Sequence, residues 1–555
     1  MGELNNILHK DNQLFKQTTI TEEDRKIFKE LETFLSAFND YQKKAIISNT
    51  QKICCIAGAG SGKTTVLTKR IEFLAKYRGI PPEKILAITF TRKAKQEMQN
   101  RLLKSGISVS IETFNSFCEK ILLKFPYLIY GKPVKLMNYS NKSVILGLVL
   151  QSLNLKITEV IDLYFSEYQR KNKTQEELIA LLVSDCFFIV DYFKTTNKEV
   201  FDFSQNAPTE DKKVTQMIYL ICKNLQNYMK LYGFRSYNDQ LLDTSEFFKK
   251  NANHIPRFDH ILVDEYQDVN LSQIELLKML NSYNLFVVGD PRQSIFGWRG
   301  SDMNEIINFT EKNPHAEIII LSKNYRSCNS IVEFMNEALK HAEYPDLESI
   351  IPLKNEIYLH NFRSENEEIK FILEKIQELD PTKHKMFILA RTNKQLNSFP
   401  TLFKQANIPY LVKKEDDAYH DKPGEVVLST IHAIKGLESD VVFIIGCNEQ
   451  HFPCKYSDHP ILDILNIYSY DKIEEERRLF YVAISRARQH LYLTYTGKKP
   501  TYFINDSMKK FLTISKQEKL EEELFEPNII EQEEIIEQEE KPKYKEDWED
   551  MIGDD

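Results

Sequence analysis

Residues 52–77, KICCIAGAGSGKTTVLTKRIEFLAKY, constrain this chain more than any other stretch. Lys52 to Ala57 is an apolar run of strand length, and 64–77 repeats its apolar residues at helical spacing. Between them lies Ala57-Gly58-Ala59-Gly60-Ser61-Gly62-Lys63-Thr64. Small side chains let such a turn curl until consecutive N–H groups converge on an anion, with a helix N-terminus behind them. In that geometry Lys63 reaches the β- and γ-phosphates and the Thr64 hydroxyl holds Mg²⁺. Ala57 stands where the usual pattern has glycine, and is small enough to serve. The stretch predicts a bound ATP or GTP in an α/β fold.

A second segment, HILVDEYQD (260–268), is a buried-strand pattern ending in Asp264-Glu265. Such a strand end places Asp264 on the metal and Glu265 against the attacking water. A third strand, LFVVGD (285–290), runs into Asp290-Pro291-Arg292-Gln293. About 200 residues separate Lys63 from Asp264, far more than a nucleotide-binding core needs, so an inserted domain is expected.

Net charge is −8, an unpromising sum for a partner of nucleic acid, but it is unevenly spread. Residues 518–555 hold 17 acidic and 4 basic side chains, so the other 517 residues carry +5. The tail also repeats IIEQEE at 529–534 and 535–540. Dense charge with few apolar residues predicts disorder there. A solubilising role, a docking role towards a basic partner and an electrostatic decoy all remain open for it. The eight cysteines form no C-x-x-C pair and most sit in apolar runs, which predicts reduced, buried thiols and no metal cluster. No apolar run approaches eighteen residues and no signal pattern opens the chain, so an intracellular, cytoplasmic protein without a membrane partner is expected.

Further segments complete a pattern. They are FNDYQKKAI (38–46), ILAITFTRKAKQEM (85–98), IETFNSFC (111–118), VVGDPRQSIFGWRGSD (287–302), LSKNYRS (321–327), VVLSTIHAIKGLESDVVFIIG (426–446) and EEERRLFYVAISRARQHLYLTY (474–495). With the two nucleotide segments, in this order, the chain resembles the UvrD/Rep group of superfamily 1 DNA helicases from Phe38 to Tyr495. The resemblance implies two RecA-like P-loop domains clasping ATP and Mg²⁺, and a motor on single-stranded DNA and duplex junctions with 3′-to-5′ polarity, in repair, recombination, replication or phage defence. A partner-activating ATPase subunit, for instance of a nuclease, and a DNA-stimulated switch without processive movement are the alternatives.

By the same resemblance, Gln42 reads the adenine edge, Tyr325 stacks on the base, and Glu438 contacts the ribose. Residues 57–65 (Ala57, Gly58, Ala59, Gly60, Ser61, Gly62, Lys63, Thr64 and Thr65) form the phosphate turn. Thr65 stands where many relatives carry an arginine that closes the other face of the base. Arg326 and Arg486 approach the γ-phosphate and Gln293 senses it, beside the catalytic Lys63, Asp264 and Glu265. The DNA track comprises Phe90, Thr91, Arg92, Phe296, Trp298, Arg299 and His432, because aromatic faces hold bases without reading sequence.

The expected organisation is an N-terminal helical extension (1–37), a first core in two parts (38–118 and 241–325) and a helical insertion (119–240). A second core (326–512) and an acidic tail (513–555) follow. Only about fifteen residues are spare between 406 and 430, too few for the large second insertion typical of the group.

Overall fold

The computed structural model describes residues 15–196, 212–414, 422–454 and 471–516. Seventeen strands lie among them: β1 (Lys52–Ala57), β2 (Ile85–Thr89), β3 (Ser110–Thr113), β4 (Lys135–Leu136), β5 (Phe234–Arg235), β6 (His260–Val263), β7 (Asn284–Gly289), β8 (Glu317–Leu321), β9 (Lys323–Cys328), β10 (Glu348–Ile351), β11 (Ile357–Phe362), β12 (Met386–Ala390), β13 (Tyr410–Lys413), β14 (Val426–Thr430), β15 (Ser439–Ile444), β16 (Ala487–Thr496) and β17 (Leu512–Lys516).

The apolar run of β1 becomes the buried fifth strand of a six-stranded parallel sheet, ordered β3-β2-β6-β7-β1-β8. Its residues alternate between two cores. Cys54 and Ile56 join one apolar cluster, while Ile53, Cys55 and Ala57 join the cluster on the opposite face. Both faces being covered by helices explains why β1 reads as continuously apolar. A second parallel sheet has the order β13-β14-β12-β15-β16-β11-β17. The α/β, two-sheet expectation holds.

Between β3 and β6 the chain is mainly helical, including Tyr139–Ser152, Gln175–Thr196 and Lys212–Leu231. Leu146, Val149, Leu182, Cys186, Ile218 and Cys222 build a separate apolar core there. The short parallel pair β4–β5 ties the two ends of this helical segment together. Between β12 and β14 lie the helix Phe399–Gln405 and β13, with 415–421 outside the described residues.

Two boundaries differ from those drawn on the sequence. Residues 513–516, assigned above to the tail, belong to β17, where Leu512 to Lys516 pair with β11. The alternation Leu512-Thr513-Ile514 suits a pleated edge and overrides the charge that begins just beyond it. β9 spans the expected boundary at 325/326 and pairs with β10, outside both large sheets. The predicted tail from 517 and the extension over 1–14 lie outside the described residues. All eight cysteines are buried. Among the described residues no single helix is long and apolar enough to cross a membrane.

Candidate nucleotide cleft and DNA track

After β1 the chain curls through Gly60 and Gly62, both left-handed at φ +70° and +82°. Glycine is needed at 60 for a second reason: a Cβ there would lie 2.7 Å from the Arg326 Cβ. The opposite half of the protein therefore comes down onto the turn. Asn324 Nδ2 donates to the Ala59 carbonyl at 2.8 Å, and the Tyr325 N–H to the Gly60 carbonyl at 2.9 Å. Ser61 Oγ closes the loop on the Gly58 carbonyl at 2.8 Å, and Lys63 Nζ folds back to within 3.4 Å of the Ala57 carbonyl.

Asp264 stands at the end of β6, and its Oδ2 accepts from the Thr64 hydroxyl at 3.4 Å. Burial, and then the neighbouring Glu265 charge, push Asp264 up to about 7. Glu265 is a non-glycine residue with left-handed backbone, φ +50°, a conformation that persists only where its surroundings enforce it. Burial opposes its ionisation, but Lys63, Lys435, Gln267 and Arg486 outweigh that and hold it below the usual range. Two adjacent carboxyl groups are thus driven apart in acidity, the condition for dividing their roles.

Gln293 bridges the halves: its Nε2 donates to Asp290 at 2.7 Å and its Oε1 accepts from Arg486 at 3.0 Å. Arg486 is only 1% exposed, and burial, then Arg326, lower its guanidinium to about 9. Arg326 pairs with Glu438 and donates to the Ser485 carbonyl at 3.0 Å. Arg488 binds the other Glu438 oxygen. Burial acts upward on Glu438, but the two arginines hold it near 2. In this state Glu438 therefore serves as a counter-ion, its carboxylate engaged by the two arginines.

The residues expected to hold the base gather on and around the helix Asp40–Ile47. Gln42 closes a capping box with Asn39 and donates from Nε2 to the Ser61 carbonyl at 3.0 Å. The Tyr325 hydroxyl receives Asn39 Nδ2 at 2.8 Å and lies 3.4 Å from Gln42 Oε1. Thr65 accepts from Arg101 at 2.8 Å, so a guanidinium from the helix Arg92–Lys104 stands beside the position where relatives carry arginine.

The expected track residues fall into two groups. Phe296, Trp298, Arg299 and His432 come together: the His432 ring lies 6.1 Å from Phe296, and the Arg299 guanidinium lies 5.1 Å from Phe296 and 4.5 Å from Trp298. Burial and the nearby Arg391, Arg299 and Lys435 hold His432 well below its ordinary pKa, so it offers a neutral ring. Trp298 also meets Phe188 of the inserted helices at 6.4 Å. Phe90, Thr91 and Arg92 sit at the end of β2, with Thr91 capping the next helix and Phe90 edge-on to Phe114. Thr91 and Arg92 are exposed.

Motif reading missed the residues that join these groups. Lys435 donates to Asp268 at 2.5 Å and to the Gln293 carbonyl at 2.6 Å, and its ammonium stands 5.0 Å over the Phe296 ring. Glu475 accepts the Gly297 N–H at 2.9 Å, and Arg478 donates to the Ser294 carbonyl at 2.8 Å. Asn39, Asn324 and Arg101 belong with them. Each lies inside a quoted segment or within two turns of one, but nothing in the local pattern says which distant partner it meets.

Residues 38–314 match the UvrD/REP helicase N-terminal domain, and 319–419 and 410–498 match the UvrD-like helicase C-terminal domain. A probable DNA helicase of Mycoplasma pneumoniae is 30% identical over 483 residues, covering 82% of each chain. The ATP-dependent DNA helicase PcrA of Leuconostoc citreum is 28% identical, covering 76% of this chain and 55% of that one. PcrA of Staphylococcus epidermidis is 29% identical, covering 73% and 54%. The chain thus spans about half the length of these PcrA relatives. It belongs to the UvrD/REP helicase family, matching both its N-terminal and its C-terminal helicase domain.

Proposed function

We propose that the chain hydrolyses ATP to move 3′-to-5′ along single-stranded DNA and to separate the strands of a duplex ahead of it. The observation that carries this reading is one polar path between the carboxylates and the aromatic platform. Glu265 is tied to Gln267 at 2.6 Å, Gln267 to the Asp290 N–H at 2.9 Å, Asp290 to Gln293 and Gln293 to Arg486. Lys435 then links the Gln293 carbonyl to the face of Phe296. A change of charge at the phosphates therefore has a short mechanical route to the bases.

In this reading Gln42 and Tyr325 hold adenine, while residues 57–65 and Lys63 hold the phosphates. Glu265 orients water, and Arg326, Arg486 and Gln293 stabilise charge on the transferred group. Arg326 must leave Glu438 as the cleft closes, freeing that carboxylate for the ribose. Thr64 and Asp264 would hold Mg²⁺, which supplies charge neutralisation on the phosphates. Two protein oxygens with nucleotide oxygens suit a cation that keeps much of its own shell. Phe296, Trp298, Arg299 and His432 would stack bases, with Phe90, Thr91 and Arg92 further along the strand. The inserted helices (119–240) form a domain of their own beside the two cores, and the tail (518–555) docks a basic protein partner.

Strand displacement on duplexes with a 3′ or a 5′ single-stranded tail tests the proposal. Displacement of the 3′-tailed substrate alone, dependent on ATP and Mg²⁺, is expected. Displacement of only the 5′-tailed substrate contradicts the polarity, and ATP turnover without displacement of either contradicts the unwinding role.

A further inference from the structure

The helix that carries Gln42 is eight residues long, too short to hold its own position, so tertiary anchors decide where the Gln42 amide sits. Its C-terminal carbonyls are gripped by Arg70, which donates to Ala45 at 2.8 Å and Ser48 at 2.9 Å. Its back is gripped differently. Lys44 lies two residues after Gln42, roughly 200° further round the helix, and therefore faces away from the nucleotide turn. There its ammonium meets both oxygens of Asp24 at 2.9 Å and Glu317 Oε1 at 3.3 Å. All three side chains are nearly buried, at 12%, 10% and 10% exposure.

Asp24 belongs to the N-terminal extension, which the nucleotide chemistry leaves unused. The described part of that extension is built onto the first core. Thr18 donates its N–H to the Ile318 carbonyl at 2.9 Å, beside β8, and Gln17 Oε1 accepts the Ile320 N–H at 2.6 Å. Phe28 and Leu35 are buried in the core that also holds Ala45 and Ile46. Asp24 closes a capping box with Thr21 at the start of the helix Glu22–Glu30, so its carboxylate is fixed before it meets Lys44. Burial raises the cost of charge on Asp24, but the Lys44 and Thr21 contacts outweigh it and keep it ionised.

We infer that the extension is a clamp on the base-reading helix, with Asp24 and Lys44 as positioning residues that set the affinity and base preference of the nucleotide site. The inference rests on the proposed ATP site. Phosphate contacts are made by the turn and Lys63, which Gln42 meets at the Ser61 carbonyl alone, so loosening the clamp weakens base recognition far more than the chemical step.

The test uses the full chain with saturating single-stranded DNA and compares wild type with Asp24→Asn, Asp24→Glu and Thr21→Ala. Asp24→Asn removes the charged grip of the extension on Lys44 while leaving Lys44 with Glu317 and the other anchors of the extension in place. It is expected to raise KM for ATP about threefold or more, the scale of one weakened hydrogen bond, with kcat changed less than about twofold. KM for GTP, whose base offers Gln42 a different edge, moves less, so ATP preference falls. Asp24→Glu restores the carboxylate and the KM. Thr21→Ala alters no charge and shifts KM in the same direction as Asp24→Asn, which keeps the inference testable if Asp24→Asn folds poorly. Equal rises in KM for both nucleotides, or a fall in kcat at unchanged KM, overturns the clamp. Absence of ATP preference in the wild type overturns the proposed base site instead.

Discussion

At the scale of single residues the account rests on a few charges held where water is scarce. Lys63→Ala removes the only cation of the turn, so ATP hydrolysis should fall to background in a phosphate-release assay. Glu265→Gln keeps the shape of the site and removes the group that orients water, so a fluorescent ATP analogue should still bind while turnover is lost. Near-normal turnover by Glu265→Gln contradicts the role given to it. Asp264 yields a prediction with a sign. Its folded pKa, about 7, lies above the ordinary 3.8. Without nucleotide or divalent cation, folding therefore takes up a proton between those values, and stability from this group falls as pH rises through them. Asp264→Asn removes the titration, so its Tm relative to wild type should improve from about pH 5 to about pH 8. A Tm difference independent of pH contradicts burial as the cause. Residues of this kind were legible in the sequence because Lys63, Thr64, Asp264 and Glu265 stand at ends of apolar runs, where parallel strands deliver ligands. Lys435 was not legible as a bridge, since its partners at Asp268 and Gln293 are more than a hundred positions away and share no local pattern with it.

At the scale of elements, apolar runs announced β1, β6 and β7, the strands that carry the nucleotide residues, while strands paired through distant neighbours stayed hidden. β17 looked like the start of a charged tail because edge pairing with β11 depends on a neighbour far back in the chain. The short turn Gly297–Arg299 is the opposite case: the sequence marked its Trp and Arg, but not that Glu475 from the helix Lys472–Ile484 holds the Gly297 N–H. The inserted helices make an independent test of packing. Leu182 is fully buried among them, and Leu182→Ala should cost about 2–5 kcal/mol of their stability. Because that core is separate from those flanking the first sheet, DNA-free ATPase measured below the unfolding transition should stay within about twofold of wild type. Parallel loss of both would show that the helices and the nucleotide core melt as one unit.

At the scale of the whole molecule, β9 brings Asn324, Tyr325 and Arg326 onto the turn at 57–65, and the proposed coupling follows from moving the second core against the first. The order of motifs along the chain implied two cores. The sheet orders and the contact of Arg326 with the turn are products of long-range pairing that no local pattern encodes. The acidic tail should leave this machinery alone if it docks a partner. Deleting 518–555 is then expected to leave DNA-stimulated ATPase unchanged, whereas a rise in DNA affinity at low salt, erased by added salt, would mark the tail as a decoy. The central claim is that the nucleotide cleft and the aromatic platform are coupled, and ATP hydrolysis by Trp298→Ala with and without single-stranded DNA tests it most directly. The account predicts that DNA stimulation falls at least about fivefold, the worth of one lost base stack, while DNA-free hydrolysis stays close to wild type. Equal loss of both activities would contradict it, making Trp298 a packing residue and leaving the platform unconnected to the nucleotide.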